Sequence, residues 1–560
     1  MTGIYGVLNL AGNALLTQQK AINVTGNNIA NVNTPGYSRQ KLILENKTPM
    51  QSSIGPMGNG VEAVSVERVY DRFLGLQINS ENETLGRWEA QKDGLELAEV
   101  IFDESSEFGL SQSLSQFWGA WQDLTNDPSG YNERVVLQVT SEGMTGTFNR
   151  IYSDLEKAQQ GFDTRIEGAV TEVNQLSQQI AELNQKIMEV EAPGYAANDY
   201  RDQRDLALKE LAGLIDINTF EDATGRVTVS TGAGQTLVES NLSRNLATRV
   251  NDFGFKDIAW VGPDGTAVNI TANISNGNMK GWLEARDVDI RGYLRQLDTL
   301  AEGLMERVNN LHQTGFGLDG STGNEFFTGI ATASGNMDSL LSITAEPGGS
   351  GNIRVALVGG GTAGSETVTA DPVTGDIQIA IEDGVSTGAQ IAAALQAHSG
   401  INTVVAAAPG AAWDLSVSAN TATLVGGASA RDFQVNSAVS NNLDLIAASS
   451  TSAGIPGNNS QAIAIASLQH ALTMNGNSLT FEGYYNSLVS KVGGSLQSAT
   501  AYFNHQSEMV VQLENRRESI SGVSLDEEMI NLVKFQTAYD AAAKLITTTD
   551  ELLQTVLNMV

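Results

Sequence analysis

A glycine-rich motif is the segment of this sequence that most resembles a cofactor site. GGGTAG at residues 359–364 matches the G-x-G-x-x-G pattern of dinucleotide-binding turns and follows the apolar run NIRVALV. That chemistry needs a helix after the glycines, because the helix N-terminus faces the pyrophosphate. The residues that follow, SETVTADPVTGDIQIAI, instead predict a strand, a turn and a second strand. We interpret the motif as a turn between strands.

Metal and acid–base sites have little local support. His312, His398, His470 and His505 are scattered without the spacing of zinc ligands, although they could still meet in space. LDGSTGNEFF at residues 318–327 lacks the spacing of a calcium loop and predicts a turn. The acids of the segment DEEM lie where a helix begins, a place that the helix dipole favours. The sequence predicts no catalytic, cofactor or metal site, and we expect a protein that is not an enzyme.

A cluster of side-chain amides in GNNIANVNTPGYSRQ, residues 26–40, is harder to explain. Asparagine is a poor helix former because its side chain competes for backbone hydrogen bonds. Nevertheless, an apolar helical pattern continues through the cluster. Pro35 then biases the preceding residue away from helix, and Gly36 permits a turn. The sequence therefore predicts a helix that ends at this point with several amides exposed to a partner.

Composition excludes several functional classes. The 560 residues include 32 basic and 64 acidic residues, and the net charge of −32 disfavours binding to nucleic acid or anionic lipid. Cysteine is absent, so disulfides and thiolate sites are excluded. We find no apolar run of about 18 residues, so we expect no membrane insertion. The first twenty residues lack the basic start and compact apolar stretch of a cleavable signal peptide.

Heptad spacing marks both ends of the chain as helices with a narrow packing seam. The predicted seam residues of the first helix are Ile4, Leu8, Ala11, Leu15, Gln18, Ile22, Thr25, Ile29 and Val32. Those of the last helix are Leu525, Met529, Leu532, Gln536, Tyr539, Ala543, Ile546, Asp550, Leu553, Leu557 and Val560. These helices could simply be core helices of a monomer. Assembly through the ends is favoured instead, because two helices alone bury little surface and because Lys20 and Arg39 are the only charged residues before residue 41.

Three internal segments repeat the heptad pattern and separate two segments of strand character. The helical stripes lie at residues 162–190, 283–311 and 485–513, and residues 218–280 and 331–460 alternate like strands. The predicted fold class is α+β and multidomain, with terminal coiled-coil helices and a long helical bundle that carries inserted β-rich outer domains. The predicted units are a terminal coiled-coil domain (1–35 plus 525–560), an elongated helical-bundle domain (36–216 plus 281–314 plus 456–524), a β-rich domain (217–280 plus 315–345) and a variable β-rich outer insert (346–455).

The two ends of the sequence resemble a known family. NNIANVNTPGYSRQ is similar to the N-terminal signature of bacterial flagellar rod, hook and hook-associated proteins, and NLVKFQTAYDAAAKLITTTDELLQTVLN is similar to the closing helix of that group. Within the group, SGVSLDEEMINLVKFQ at residues 521–536 and YRDQRDLALKELAGLI at residues 200–215 resemble the hook–filament junction proteins. The resemblance covers roughly residues 1–330 and 455–560.

The resemblance implies a structural function at the junction between hook and filament. It implies export through the flagellar type III apparatus without a cleavable signal peptide, an extracellular location and a self-assembled ring at the distal end of the hook. The implied partners are other copies of the chain, the hook protein, the second junction protein (hook-associated protein 3) and an export chaperone at the C-terminal helix. The terminal helices would line the central channel, and the β-rich modules would face outward.

The resemblance also gives the amides a hypothetical function. Asn28, Asn31 and Asn33 could bind freed carbonyls and neighbouring subunits without adding net charge to a crowded tube, and Pro35 and Gly36 would set the end of the helix. Two alternatives remain open. A hook or distal-rod protein shares the N-terminal signature, and a surface adhesin or glycan-binding function could reside in residues 331–454.

Overall fold

The computed structural model describes most of the chain. The described residues are 2–52, 55–104, 109–222, 224–251, 253–329, 334–337, 341–345, 353–371, 376–397, 401–406, 412–415, 421–424 and 430–558. His398 lies outside them, as do the linking residues 330–333. No helix in these ranges is both long enough and apolar enough to cross a membrane.

Long helices dominate the fold. The α-helices are α1 (Thr2–Ala30), α2 (Arg72–Ile101), α3 (Leu110–Asn126), α4 (Tyr131–Glu191), α5 (Asn198–Leu214), α6 (Gly277–Glu284), α7 (Arg291–Thr314), α8 (Gly388–Gln396), α9 (Ser437–Asn441), α10 (Ser460–Ala466), α11 (Phe481–Ser521) and α12 (Leu525–Asn558). A π-helix, Ala285–Ile290, joins α6 to α7, and four short 3₁₀ turns lie at Thr271–Asn273, Leu443–Leu445, Ser452–Gly454 and Ser467–His470.

Strands are short and form several small sheets. They are β1 (Gln40–Asn46), β2 (Met50–Ser52), β3 (Gly55–Met57), β4 (Val61–Arg68), β5 (Ile217–Glu221), β6 (Val227–Thr231), β7 (Thr236–Glu239), β8 (Leu242–Ser243), β9 (Leu246–Val250), β10 (Lys256–Val261), β11 (Ala267–Asn269), β12 (Phe327–Thr328), β13 (Ser334–Met337), β14 (Leu341–Ala345), β15 (Ile353–Gly359), β16 (Thr367–Ala370), β17 (Ile377–Ile381), β18 (Ile401–Ala406), β19 (Thr421–Leu424) and β20 (Gln434–Val435). The fold class is α+β, as the sequence predicted.

The elongated body is built on the internal heptad helices. The predicted stripe at 162–190 lies on α4, where Ile166, Val173, Ile180 and Ile187 are completely buried. The stripe at 283–311 runs through α6, the π-helix and α7, and the stripe at 485–513 runs along α11. A core of aromatic and aliphatic side chains, including the fully buried Trp121, holds α3, α4, α7 and α11 together. Periodicity therefore located the body helices correctly, because each buries one continuous stripe.

A first β-rich unit packs on the C-terminal half of α4 and on α5. It consists of the antiparallel sheet β5-β6-β7-β8 and the sheet β11-β10-β9. Val229, Leu237, Val238 and Ile258 are fully buried and share one core with α4 and α5. This unit matches the strand-like segment that the sequence predicted at 218–280.

The insert has a core of its own. Strand order β16-β17-β15-β19 forms one sheet, with β15 and β17 parallel, and β13-β14-β18 forms another. The helix α8 begins with a capping box at Thr387, and Ile391 is buried against the strands. After GGGTAG the chain forms the antiparallel pair β16 and β17 rather than a helix. The motif therefore lacks the helix that a dinucleotide site needs, as the sequence indicated.

The C-terminal boundary of the insert lies earlier than residue 455, where the sequence analysis placed it. Strand β20 pairs with β12, and Phe433, Val439 and Ile446 are buried in the main core of the body. Asp298 of α7 accepts a hydrogen bond of 2.7 Å from the backbone N–H of Ala430. Residues 430–455 belong to the body because their apolar side chains face α4 and α7, a contact that local strand-like character could not reveal.

A twisted strand pair interrupts the predicted helical bundle between residues 36 and 72. Strands β1 and β4 are antiparallel with a bulge between Ile43 and Leu44, and the short pair β2–β3 extends from them. The sequence analysis had assigned this segment to the bundle. The alternation in KLILEN is short, and a β-hairpin of this length depends on the α5 side chains that it contacts.

Candidate assembly site at the joined ends of the chain

Asparagine side chains of α1 and of the residues after it form hydrogen bonds at the C-terminal end of this helix. Asn31 donates from Nδ2 to the backbone oxygen of Asn27 and to its Oδ1, each at 3.0 Å, and Thr34 donates to Oδ1 of Asn31. Gly36 has a φ of +78°, a left-handed conformation that glycine adopts most readily. The Asn27 carbonyl oxygen thus accepts both the side-chain amide and the backbone N–H of Asn31. Asn33 and Pro35 are exposed beside this turn.

Asn28 is the centre of a buried polar cluster. Its Nδ2 donates to the backbone oxygen of Gln40 at 2.9 Å and to Oε2 of Glu528 at 3.0 Å. Its Oδ1 accepts from the Tyr37 hydroxyl at 2.9 Å and from the Gln40 N–H at 3.0 Å. Because all four bonding positions of the amide are used, the side chain is 1% exposed without an unpaired group. One asparagine thus ties the end of α1 to the start of α12.

The segment after α1 is bound to α5 by acidic side chains. The Ser38 N–H donates to Oδ2 of Asp202 at 2.9 Å, and Gln40 donates to Asp199 at 2.7 Å. Arg68 of β4 donates to both Asp202, at 3.0 Å, and Asp205, at 2.6 Å. The terminal helices are therefore connected to the body through a charged joint formed by β4 and α5.

Burial changes the electrostatics of this joint. Desolvation raises the pKa of Asp202 from its usual value, although Arg68 and the Ser38 N–H counteract part of the effect. Desolvation also raises the pKa of Tyr37, and the nearby carboxylates of Asp199 and Asp202 add to the increase. The tyrosine therefore stays neutral and remains a hydrogen-bond donor to Asn28 at physiological pH.

The opposite side of α5 holds the first β-rich unit. Arg201 forms ion pairs of 2.7 Å with Glu191 and 2.6 Å with Glu221. Arg204, which is 1% exposed, donates to the Gly225 backbone oxygen and to Asn184. In YRDQRD the acids bind Arg68 of β4, while the arginines bind β5, the turn between β5 and β6, and the C-terminal part of α4. This short segment therefore couples the terminal helices to the outer unit.

Small side chains form the contact between α1 and α12. Ala11, Ala21 and Thr25 of α1 are buried, as are Ala542 and Thr549 of α12. On α1 the seam includes Ala11 and Thr25 of the predicted stripe, whereas on α12 it runs through Ala542 and Thr549, one position before the predicted Ala543 and Asp550. Half-buried predicted residues are Leu8, Leu15, Gln18, Ile22, Ile29, Asn31, Gly36, Leu532, Ile546 and Leu553. Exposed ones are Asn33, Pro35, Gln536, Tyr539 and Asp550, and the side chain of Leu557 lies outside the described residues.

An apolar surface remains open on the first turns of α12. Leu525, Met529, Ile530 and Val533 are exposed, with values of 68% for Ile530 and 58% for Val533. We call these four residues the α12 patch. Their exposure means that the pairing of α1 with α12 does not cover them. Contiguous exposed apolar side chains of this kind are typical of protein–protein contacts.

No group of three or more possible metal ligands occurs among the residues with described positions. His312 is buried between Asn324, whose backbone oxygen contacts Nδ1 at 2.7 Å, and the Ala447 N–H, which donates to Nε2 at 2.9 Å. Desolvation lowers the pKa of His312 to about 4, so this imidazole is neutral. Its contacts are those of a structural side chain.

Three family models match separate parts of the chain. The model "Flagella basal body rod protein" matches residues 8–37, and "Flagellar basal body rod FlgEFG protein C-terminal" matches residues 516–559. These two ranges contain the amide cluster and the α12 patch. The model "Flagellar hook-associated protein FlgK helical domain" matches residues 95–327, which cover most of the body and the first β-rich unit.

Relatives align with the chain from end to end. Flagellar hook-associated protein 1 from Bacillus subtilis (strain 168) is 26% identical, with 100% of this chain and 99% of the relative covered. The proteins of the same name from Salmonella typhimurium and Escherichia coli (strain K12) are 28% and 26% identical, with 99% of each chain covered. The chain is therefore similar over its whole length to the flagellar hook-associated protein 1 of three bacteria.

A solved structure supports the same fold. The flagellar hook junction protein FlgK from Burkholderia pseudomallei superposes with a TM-score of 0.65 at 16% identity, covering 80% of this chain and all of the other. Taken together, the full-length relatives, the helical-domain match and this fold support a structural, hook-associated junction component of the bacterial flagellum. The predicted function is confirmed, and the hook or distal-rod alternative is not favoured.

The sequence analysis did not predict several residues of the joint. Tyr37, Gln40, Arg68, Asp202 and Glu528 all bind in or next to the Asn28 cluster. Tyr37 and Gln40 lie within the quoted signature, and Asp202 lies within YRDQRD, so their segments were recognised without their contacts. In YRDQRD, arginine and aspartate each recur three residues apart. This spacing was the feature of the sequence that could have predicted two different sets of contacts for α5.

Proposed function

We propose that this chain polymerises through its joined ends into a ring at the distal end of the hook, and that the ring connects the hook to the filament. The observation that carries the proposal is the α12 patch. The internal contacts of the chain bury α1 against α12 but leave this patch open, directly beside the joint that holds both helices to the body. A neighbouring copy of the chain would cover it.

In this proposal the terminal helices line the channel and the β-rich units face outward. The amides at the end of α1 suit such a position, because carboxylates repeated around a ring would repel one another. The partners would be further copies of the chain, the hook protein and hook-associated protein 3. We also propose that an export chaperone covers the C-terminal helix before secretion, that export uses the type III route, and that the protein catalyses no reaction.

Charge placed on the α12 patch tests the proposal. We expect a chain carrying Ile530→Asp and Val533→Asp to fold, because neither side chain is needed to cover the core, and to be secreted. It should not support filaments, since two carboxylates would be buried at each contact between copies. Electron microscopy of cells should show hooks without filaments, while immunoblotting measures the secreted chain.

The matched control is Thr548→Asp, which adds a carboxylate at an exposed polar position of the same helix. Cells with this variant should assemble filaments normally. Normal filaments with the Ile530→Asp, Val533→Asp chain would contradict assembly through the α12 patch. Loss of secretion would instead assign the patch to the export chaperone, and purified variant added to bare hooks would then separate the two functions.

A further inference from the structure

The insert leaves and rejoins the body at a single place. Its two chain connections follow strand β12 and precede strand β20, and these strands pair with each other. A side chain at Gly329 would begin only 1.8 Å from the backbone oxygen of Asp432. Ala430, on the returning connection, is bound to Asp298 of α7. Two adjacent connections hold a domain at one place but leave it free to rotate, unless a further contact fixes it.

Apolar burial does not supply that further contact. The buried apolar side chains of the insert, from Met337 to Trp413, cluster with one another, and the described members of this cluster include no residue of the body. Conversely, the main core of the body and the core of the first β-rich unit contain no described residue between 331 and 429. The orientation of the insert must therefore depend on contacts of another kind.

Arg291 supplies a third point of attachment. It is the first residue of α7 and lies seven residues before Asp298, about 10 Å along the helix. Its Nη1 and Nη2 donate to the two carboxylate oxygens of Asp376, at 2.9 Å and 2.5 Å. The guanidinium also lies over the ring of Phe253, in the turn between β9 and β10, with Cζ 4.1 Å from the ring centroid. One side chain thus joins α7, the insert and the first β-rich unit.

Contacts inside the insert orient Asp376. Its Oδ1 accepts the N–H of Arg354, in β15, at 2.9 Å. Its backbone oxygen accepts the N–H of Asp371 at 2.8 Å, which closes the turn between β16 and β17. Arg295, one helical turn after Arg291, donates to the backbone oxygen of Asp371 at 3.5 Å. Two arginines of α7 therefore bind the two ends of one turn of the insert.

We infer that Arg291, Asp376 and Phe253 form a latch that holds the insert in one orientation, and that the insert rotates about its two connections when the latch opens. The ion pair borders solvent, since 13% of the Arg291 side chain and 26% of the Asp376 side chain are exposed, so salt weakens it. A cleft of about 1090 Å³ lies between the body, the first β-rich unit and the insert, and all three latch residues line it. Opening of the latch widens this cleft.

The latch requires an arginine rather than any cation. A planar guanidinium offers two parallel N–H groups to a carboxylate and a flat face to an aromatic ring at the same time. A lysine ammonium retains the charge but not both geometries. Arg291→Lys and Phe253→Leu should therefore each weaken the latch, and Arg291→Ala should open it. The device belongs to the single chain and does not depend on the proposed ring.

Distances from double electron–electron resonance in the full chain test the inference. The chain has no cysteine, so Asn310→Cys on α7 and Gln396→Cys on α8, both at exposed positions, accept one spin label each. With the latch intact, the distance distribution should show one narrow peak at about 0.1 M NaCl. At about 1 M NaCl, where the screening length falls to about 3 Å, a second, broad population should increase.

The latch variants should increase the broad population without added salt. Arg291→Ala should raise it roughly tenfold, because the bidentate pair and the contact with the ring are both lost. Phe253→Leu, which keeps the ion pair, should raise it less. Arg307→Ala is the matched control, since Arg307 is an exposed arginine of the same helix. It should leave the distribution as in the wild type.

Asp376→Asn opens the latch from the side of the insert and provides a second, independent variant. Thermal unfolding of each chain checks that the body and the insert remain folded. A distribution that stays narrow in both Arg291→Ala and Asp376→Asn would overturn the inference. So would a wild type that is already broad at about 0.1 M NaCl, or an Arg307→Ala chain as broad as Arg291→Ala.

Discussion

At the scale of single residues, Asn28 shows how an amide does what neither a charged nor an apolar side chain can do. It donates two bonds and accepts two in a cluster with Tyr37, Gln40 and Glu528. Aspartate could not donate, and leucine would leave the buried Gln40 N–H and the Glu528 carboxylate without this partner. The identity of the residue follows from the number of bonds that must be satisfied.

Replacing Asn28 should loosen the joint between the terminal helices and the body. We expect Asn28→Ala to cost about 1–3 kcal/mol locally, because it leaves buried polar groups unpaired. Hydrogen–deuterium exchange should then accelerate in residues 28–40 and at the start of α12, with the body unchanged. Asn33→Ala is the control, since Asn33 is exposed. Equal exchange in wild type and Asn28→Ala would show that the cluster does not hold the joint.

At the scale of elements, buried carboxyls lie where body helices meet. Asp289 of the π-helix accepts a bond of 3.3 Å from Gln91 of α2, beside Lys491 of α11. Desolvation raises its pKa to about 6. Glu83 of α2 accepts from the Ile217 N–H at 3.1 Å, and desolvation raises its pKa to about 7. Both hydrogen bonds favour the ionised acid, but desolvation outweighs them, so each carboxyl binds a proton more readily than in the unfolded chain.

The free energy of unfolding should therefore decrease as the pH rises from about 4 to 7. The folded chain binds these protons more tightly than the unfolded chain, so their contribution is complete below about pH 4 and is lost between about pH 4 and 7. Over this pH range we expect the Asp289→Asn variant to lose less of its free energy of unfolding than the wild type, by on the order of 2 kcal/mol. Urea unfolding at pH 4.5, 6 and 8 measures the slope. Glu96→Gln at an exposed position is the control, and an unchanged slope in Asp289→Asn would refute the assignment.

At the scale of the whole molecule, the insert is attached to the body and has an independent core. Val355, Ile379 and Ile391 are fully buried within it. An ion pair links the insert to the body. The two guanidinium N–H groups of Arg291 in α7 donate to the two carboxylate oxygens of Asp376, at 2.9 Å and 2.5 Å. Phe433 and Ile446, by contrast, are part of the body core. The insert can be separated from the body near residue 430.

Two deletions should distinguish this boundary from the one that the sequence suggested. A chain lacking residues 331–429 should fold and retain the cooperative unfolding of the body, because strands β12 and β20 still pair. A chain lacking residues 331–454 loses Phe433 and Ile446 and should be destabilised by several kcal/mol, at about 2–5 kcal/mol for each large core side chain. Calorimetry compares the two. Equal melting temperatures would contradict the boundary near 430.

The sequence alone determined the features that depend on neighbouring residues. Heptad spacing located the helices of the body, because burial of one helix face repeats every three to four residues. Pro35 and Gly36 indicated that α1 ends before them, because both act on the local backbone, and the helix ends at Ala30. The strands after GGGTAG excluded a nucleotide site in the same local way. The two ends also carried enough of the family signature to indicate the flagellar junction.

Only the tertiary structure decided which distant residues meet. Asn28 and Glu528 are 500 positions apart, and no periodicity relates them. Residues 430–455 read as strand-like sequence, yet their apolar side chains complete a core made by helices far away in the chain. On α12 the seam lies one position before the predicted stripe, because the small side chains of Ala542 and Thr549 are the buried ones. Such choices depend on long-range packing, which a local pattern does not contain.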